Sequence, residues 1–286
     1  MDNRSIFTQF YEEHWGRNPG EADDSTKETA AFWDKKAKDF SQKAHCKDAR
    51  RETETFLSKF DWQSSETVLD VGSGPGTHAI LLARSVKEVT AIDFSSGMLE
   101  QLKEKARQES LNNIRTIQGR WLDIDFEDKF DTVLSLSSLG VISCDNNEKS
   151  RLLDTLLKLK GCAKKRLIIL IPHADSVLDE NMRDILQLGN LTLERRRIAV
   201  LYHAMVECGM LPSLEIIERP FRWIFTDINE AAKTLLQKSG IKSCTPQNFE
   251  NFENYLSKLL KPDENGNFVF IKNTKQALYT NYFKNG

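Results

Sequence analysis

Two patterns alternate along the first two thirds of the chain. Short apolar runs stand at Val68–Val71, Val89–Asp93, Ile114–Gln118, Phe130–Leu136 and Arg166–Ile171. Between them apolar residues recur at three- and four-residue spacing. Ala79, Ile80, Leu82, Ala83 and Val86 form one such stripe, over Thr77 to Val86. Met98, Leu99, Leu102 and Ala106 form the next, behind a Ser95-Ser96 helix start. The 148–159 segment is a third. The fifth run is apolar throughout after Arg166, as expected of a strand covered on both faces. Strands alternating with helices predict an α/β fold around a parallel sheet.

The flanks carry the same code less regularly. Residues 27–43 read as a helix with Ala30, Trp33, Ala37 and Phe40 on one face, and 50–60 as another. Beyond Pro172-His173 the alternation breaks. Residues 175–209 read as two helical segments. A strand over 214–218, helices over 227–239 and 247–260, and a strand over 267–271 follow, which brings the strand total to seven. The expected organisation is a helical N-terminal lid (1–64), a ligand-binding core (65–173), a helical cap inserted over the site (174–211), and the rest of the sheet with C-terminal helices (212–286).

The first run leads into Gly72-Ser73-Gly74-Pro75-Gly76. Glycines in such a turn remove side chains where the backbone must bend and a ligand must approach it. The following helix start offers unpaired N–H groups. A dinucleotide fingerprint would place its third glycine where Thr77 stands. Asp70 is the last polar group of the first strand, and the second strand ends in Asp93, a carboxylate able to accept from both hydroxyls of a ribose.

Asp70-x-Gly72-x-Gly74-x-Gly76, with Asp93 closing the next strand, resembles the first motif of the class I, Rossmann-like methyltransferases that use S-adenosylmethionine. Phe130-Asp131-Thr132-Val133 matches that family's F-D-x-V pattern, and Phe32-Trp33-Asp34-x-x-Ala37-x-x-Phe40 is similar to its aromatic-D-x-x-A-x-x-aromatic segment. The resemblance implies a doubly wound, mostly parallel sheet and S-adenosyl-L-methionine as methyl donor, leaving as S-adenosyl-L-homocysteine. It implies a cofactor site built from Asp70, Gly72, Gly74, Gly76, Asp93, Phe94, Met98, Arg120, Trp121, Leu136 and Ser137. Trp121 would stack on the adenine, with core packing as its alternative, and Ser137, Ser138 and Leu139 would border the reaction centre. Phe40 stands where relatives often carry tyrosine, so that position lacks a hydroxyl.

Methyl transfer from a sulfonium is an in-line displacement that positioning can largely accelerate, so a clear catalytic signature is not required. His173, at the end of the fifth strand, is the candidate general base. Trp33, Phe40, Tyr202, His203 and Trp223 are candidates for acceptor contact, each with core packing as its alternative. An inward arginine from Arg195-Arg196-Arg197 would favour an anionic acceptor.

Composition narrows the acceptor. The net charge is −2, so the chain has no global attraction for nucleic acid. A small-molecule acceptor is expected. Five scattered cysteines, none in C-x-x-C, imply neither a disulfide framework nor a zinc cluster and point to the cytoplasm. No metal site, signal peptide or membrane span is expected. The oligomeric state is open. Three alternatives remain: a donor-binding protein without catalysis, a methyltransferase acting on a macromolecule, and a nicotinamide oxidoreductase. The last is disfavoured by Thr77 and by the lack of a Tyr-x-x-x-Lys pair.

Overall fold

The computed structural model describes residues 11, 15, 29–144, 150–172, 178–188, 195–239, 241, 244–264 and 266–283. The chain forms two compact units. One comprises Met1–Ile171, Arg197–Glu215 and Ala277–Gly286; the other comprises Pro172–Arg196 and Ile216–Gln276. The expected 174–211 insertion is therefore shared. Its first part groups with the second unit, whereas its second helix packs in the first.

In the first unit, helices α1 (Ala30–Ala44) and α2 (Lys47–Leu57) precede β1 (Thr67–Val71), α3 (Ala79–Leu82), β2 (Glu88–Asp93) and α4 (Ser96–Gln108). Then come β3 (Ile114–Gln118), β4 (Phe130–Leu136), α5 (Leu139–Ile142), α6 (Leu152–Cys162) and β5 (Ala163–Pro172). Helix α7 (Glu180–Ile185) belongs to the second unit, and α8 (Arg195–Glu207) runs almost wholly in the first. Strand β6 (Ser213–Phe225), α9 (Ile228–Lys238), α10 (Pro246–Leu259) and β7 (Phe268–Tyr282) complete the described elements.

The seven strands lie in the order β3-β2-β1-β4-β5-β7-β6. The pairs β1–β2, β2–β3, β1–β4 and β4–β5 are parallel. Ser213 Oγ donates to the Thr280 carbonyl and Thr274 Oγ1 to that of Arg219, so β6 and β7 run antiparallel. Both are much longer than their apolar runs: β6 exposes most of its described residues, and β7 is continuously buried only over residues 277–281. The strand order reverses between β1 and β4. Such a switch point opens a crevice at the strands' carboxyl ends, and Gly72 and Ser137 stand there.

Burial follows the pattern. Leu167, Ile168, Ile169 and Leu170 of β5 have no exposed surface. Fully burying each such side chain stabilises by about 1.5–3 kcal/mol. Leu152, Leu156 and Leu159 of α6 and Val200, Leu201, Ala204 and Met205 of α8 join the same cluster, together with Tyr11 and Trp15. The second unit has its own cluster, built on Met182, Leu235, Phe252 and Phe270. At the start of the sheet, buried Arg166 donates to Glu66 Oε2 at 2.8 Å, to Thr132 Oγ1 at 2.7 Å and to the Asp61 carbonyl, while its guanidinium lies over the Trp62 ring. This explains the one charge in the fifth run: it ties β5 to the residue entering β1.

Asn113, just before β3, reaches the carbonyls of Ala83, Val86 and Lys87 at 2.8–3.3 Å and closes the turn into β2. Asn113→Ala strands those carbonyls and should cost about 1–2 kcal/mol in urea denaturation. Unchanged stability would mean water serves the turn equally well.

Candidate functional site

The glycine turn adopts the conformation its residues permit. Gly72, Gly74 and Gly76 have φ of 74°, 55° and 85°. At Gly72 space is also closed, since a Cβ there would meet Ser138 Cβ at 2.4 Å. At Gly74 a Cβ would meet nothing within 4 Å, so the backbone faces open space. The turn is held by Gly72 and Ser73 N–H groups donating to the Ile92 carbonyl, and by Gly74 N–H donating to Asp93 Oδ2 at 2.8 Å. The helix after it is shorter than its pattern suggests. Regular α-helix spans Ala79–Leu82 only, and His78 at its N-cap makes no capping hydrogen bond.

Asp93 is buried at the end of β2. Its other oxygen accepts from the Ser95 N–H at 2.9 Å. Burial raises its pKa, and the Ser95, Gly74 and Phe94 N–H groups oppose that rise. Asp70 lies on the neighbouring strand, in register with Ala91. It is 1% exposed, and its Oδ2 has no hydrogen-bond partner. Burial, then the charge of Asp93, pushes its pKa up to about 7. The Ser73 hydroxyl in the turn is also buried without a partner.

The far side of the crevice is β4 and its exit. Leu136 is buried, and Ser137 is exposed with φ of 62°, an uncommon conformation for serine. Ser138 Oγ donates to the Val71 carbonyl at 2.6 Å and meets Ser135 Oγ at 3.1 Å. Ser138 thus seals β4 to β1 directly beneath Gly72. Phe94 and Arg120, from the ends of β2 and β3, come together with the guanidinium 5.3 Å from the ring centre.

Other expected residues are placed differently. Trp121 is 2% exposed and packs in the core beside Phe126, with Lys158 over its ring. This packing is that of the core alternative, since the turn after β3 directs the ring inward. Met98 is buried among the packing residues of α4. Trp33 and Phe40 meet edge to face at 6.0 Å, but α1 buries Ala37 and Ser41 rather than Phe40, which is 42% exposed. Tyr202 is exposed, and His203 Nδ1 meets the Tyr11 hydroxyl at 2.5 Å. Trp223 packs against Phe270 within the second unit. His173 lies outside the described residues.

Some residues of this region were not picked out as functional by pattern. Asp34 and Gly97 join α1 to the start of α4, with Asp34 Oδ1 accepting from Gly97 N–H at 2.8 Å and from Ser95 Oγ at 2.6 Å. Ser138 was read only as a border residue. The sequence signal for Asp34 is its place in the D-x-x-A run.

The residues fit S-adenosylmethionine. The open backbone at Gly74, the orphaned Asp70 and Ser73 oxygens and the Asp93 carboxylate suit a ligand with hydroxyl and ammonium donors. Among the described residues no group of three or more His, Cys, Asp or Glu is placed to hold a metal, and no helix is long and apolar enough to cross a membrane.

Comparison with known proteins agrees. The family profile described as "Methyltransferase domain" matches residues 68–160. An uncharacterized protein of Haemophilus influenzae is 29% identical over 65% of this chain and 66% of its own length. Ribosomal RNA small subunit methyltransferase G of Vibrio cholerae is 33% identical over 40% of this chain and 57% of its own. Demethylmenaquinone methyltransferase of Porphyromonas gingivalis is 44% identical over 23% of this chain and 29% of its own. The chain thus spans less than two thirds of these relatives' lengths in the second and third cases and about two thirds in the first. The YcgJ protein of Bacillus subtilis shares the fold, with a TM-score of 0.50 and 15% identity over 82% of this chain and 99% of its own. The glycine turn, the two acids and strands β1 to β4 all fall in or at the edge of residues 68–160, the segment that matches the methyltransferase domain profile.

Proposed function

We propose that this protein transfers a methyl group from S-adenosylmethionine to an oxygen, nitrogen or other nucleophile of a small-molecule acceptor in the cytoplasm. The observation that carries the donor half is the glycine turn whose Gly74 N–H and the Ser95 N–H share the Asp93 carboxylate, beside the unpartnered Asp70 oxygen. When bound, the sulfonium supplies an activated methyl: the acceptor's lone pair forms a bond to that carbon, the carbon–sulfur pair returns to sulfur, and the acceptor's proton leaves to water or a base. The protein's part is to orient and to exclude water. Asp93 holds the ribose hydroxyls, Phe94 and Arg120 flank the adenine, and Leu136 and Ser137 border the methyl. His173 is the base in this reading, with Trp33, Phe40, Tyr202 and His203 as acceptor contacts.

The acceptor half rests on the net charge of −2, which gives no general pull on a phosphate backbone, and on the edge-to-face pair of half-buried Trp33 and exposed Phe40 on α1. A cytoplasmic setting is supported by the five free cysteines. The Vibrio relative's name keeps RNA as the second reading. Incubation with methyl-labelled donor, a metabolite extract and total RNA tests both. Label in the low-mass fraction is expected; label in RNA alone would replace the acceptor, and no transfer despite donor binding would make the chain a binder. Asp93→Ala should raise the Kd for S-adenosylhomocysteine about tenfold or more in calorimetry. Unchanged affinity would remove Asp93 from the site.

A further inference from the structure

Helix α1 crosses α4 unusually closely. A Cβ on Gly97 would lie 3.1 Å from Asp34 Cα and 3.3 Å from Ala37 Cβ. A side chain at the second position of α4 would therefore press on the α1 backbone and force it back by a few tenths of an ångström. Asp34 then reaches over the α4 start. Its Oδ1 takes the Gly97 N–H and the Ser95 hydroxyl. Those donors hold its carboxyl below the usual pKa, the Ser95 hydroxyl most strongly. The same Ser95 Oγ accepts from Met98 N–H and caps α4, while the Ser95 N–H donates to Asp93. A continuous path runs from Asp34 through Ser95 and Asp93 to the Gly74 N–H of the turn. At its other end the α1 segment is fastened too, where His45 Nε2 donates to the Pro75 carbonyl of that same turn at 2.9 Å.

We propose that Asp34 is a positioning residue for the methyl donor, fixing through Ser95 the orientation of Asp93 and the glycine turn. The proposal rests on the donor site described above. The D-x-x-A pair then has a physical meaning: Asp34 is the clasp and Ala37 is small enough to let α1 approach Gly97. Without the clasp, Ser95 loses the partner that orients its hydroxyl, and the N–H that steadies Asp93 becomes mobile. Asp34 touches no reacting atom, so its loss acts on donor binding and leaves the chemical step alone.

The test is calorimetric titration of the full chain with S-adenosylhomocysteine. Wild type binds, Asp34→Ala raises Kd about tenfold, and Asp34→Asn, whose Oδ1 still accepts both hydrogens, stays within about threefold. Gly97→Ala, which pushes α1 away with Asp34 intact, gives a rise like that of Asp34→Ala. Ser95→Ala adds little once Asp34 is alanine, because the two act as one unit. In turnover assays the donor KM rises while kcat holds. Asp34→Ala binding with wild-type Kd would overturn the clasp and spare the donor site. A wild-type chain indifferent to S-adenosylhomocysteine would overturn both. Equal weakening by Asp34→Asn and Asp34→Ala would overturn the hydrogen-bond path.

Discussion

Gly72→Ala is expected to abolish donor binding and to lower stability by about 2–5 kcal/mol. The left-handed backbone at φ of 74° costs any L side chain roughly 1–2 kcal/mol. Forcing a methyl into a filled site adds about 1–3 kcal/mol more. The contact is not with a flexible tip, since the new Cβ would sit 2.4 Å from Ser138 Cβ. Ser138 cannot swing aside cheaply either, because its hydroxyl donates to the Val71 carbonyl. Relief must come from parting β1 and β4, which is where the crevice forms. Urea denaturation and donor titration would measure both effects. Gly74→Ala is the control, because its Cβ meets nothing within 4 Å and only the backbone cost remains. Equal stability losses at the two positions would refute the steric account.

Asp70→Asn is expected to make the ligand-free protein more stable than wild type above neutral pH, by up to about 4 kcal/mol. Asp70 titrates at about 7 in the folded chain because burial disfavours its charge and Asp93 lies close. In the unfolded chain it titrates at its ordinary value of 3.8. Between those values the folded chain holds the extra proton, so stability falls as pH rises through the window, by about 1.4 kcal/mol per unit. Above about 7 the loss is complete and levels off. Asp93, also raised by burial, acts in the same sense. Glu109 acts oppositely and lower down. Arg50 and then Arg84 hold it at about 2, so its contribution is lost only as pH falls below its ordinary 4.5. Denaturation at pH 4, 6 and 8 should show wild type and Asp70→Asn converging in acid and diverging in base. A parallel pair of curves would place the slope elsewhere. Asp70→Asn should also weaken binding of the cationic donor, so the carboxylate that destabilises the ligand-free protein serves the ligand.

Much of the donor half was legible in sequence because local constraints specify it. Gly72, Gly74 and Gly76 occupy backbone conformations other residues avoid. Asp70 and Asp93 lie at or next to the ends of strands whose burial is written in their apolar runs. Ser95 caps its helix as its position implied, accepting from Met98 N–H. The strand sequence up to β5 followed from alternation alone. Residue order alone therefore specifies the set of elements and the chemistry at the ends of β1 and β2.

Only the tertiary structure decided which faces meet. Periodicity shows that α1 has an apolar side, but the face that packs on α4 is set by the small residues Ala37 and Gly97 and by the Asp34 clasp, leaving Phe40 outward. Trp121 stands in the sequence where a stacking aromatic was expected, yet the turn after β3 turns it into the core. Trp223 lies in a separate apolar cluster because it packs on Phe270 of β7. The physical reason is common to all three. A side chain's role depends on contacts between residues far apart in the chain, whereas a pattern along the chain records only its preference for burial or for water.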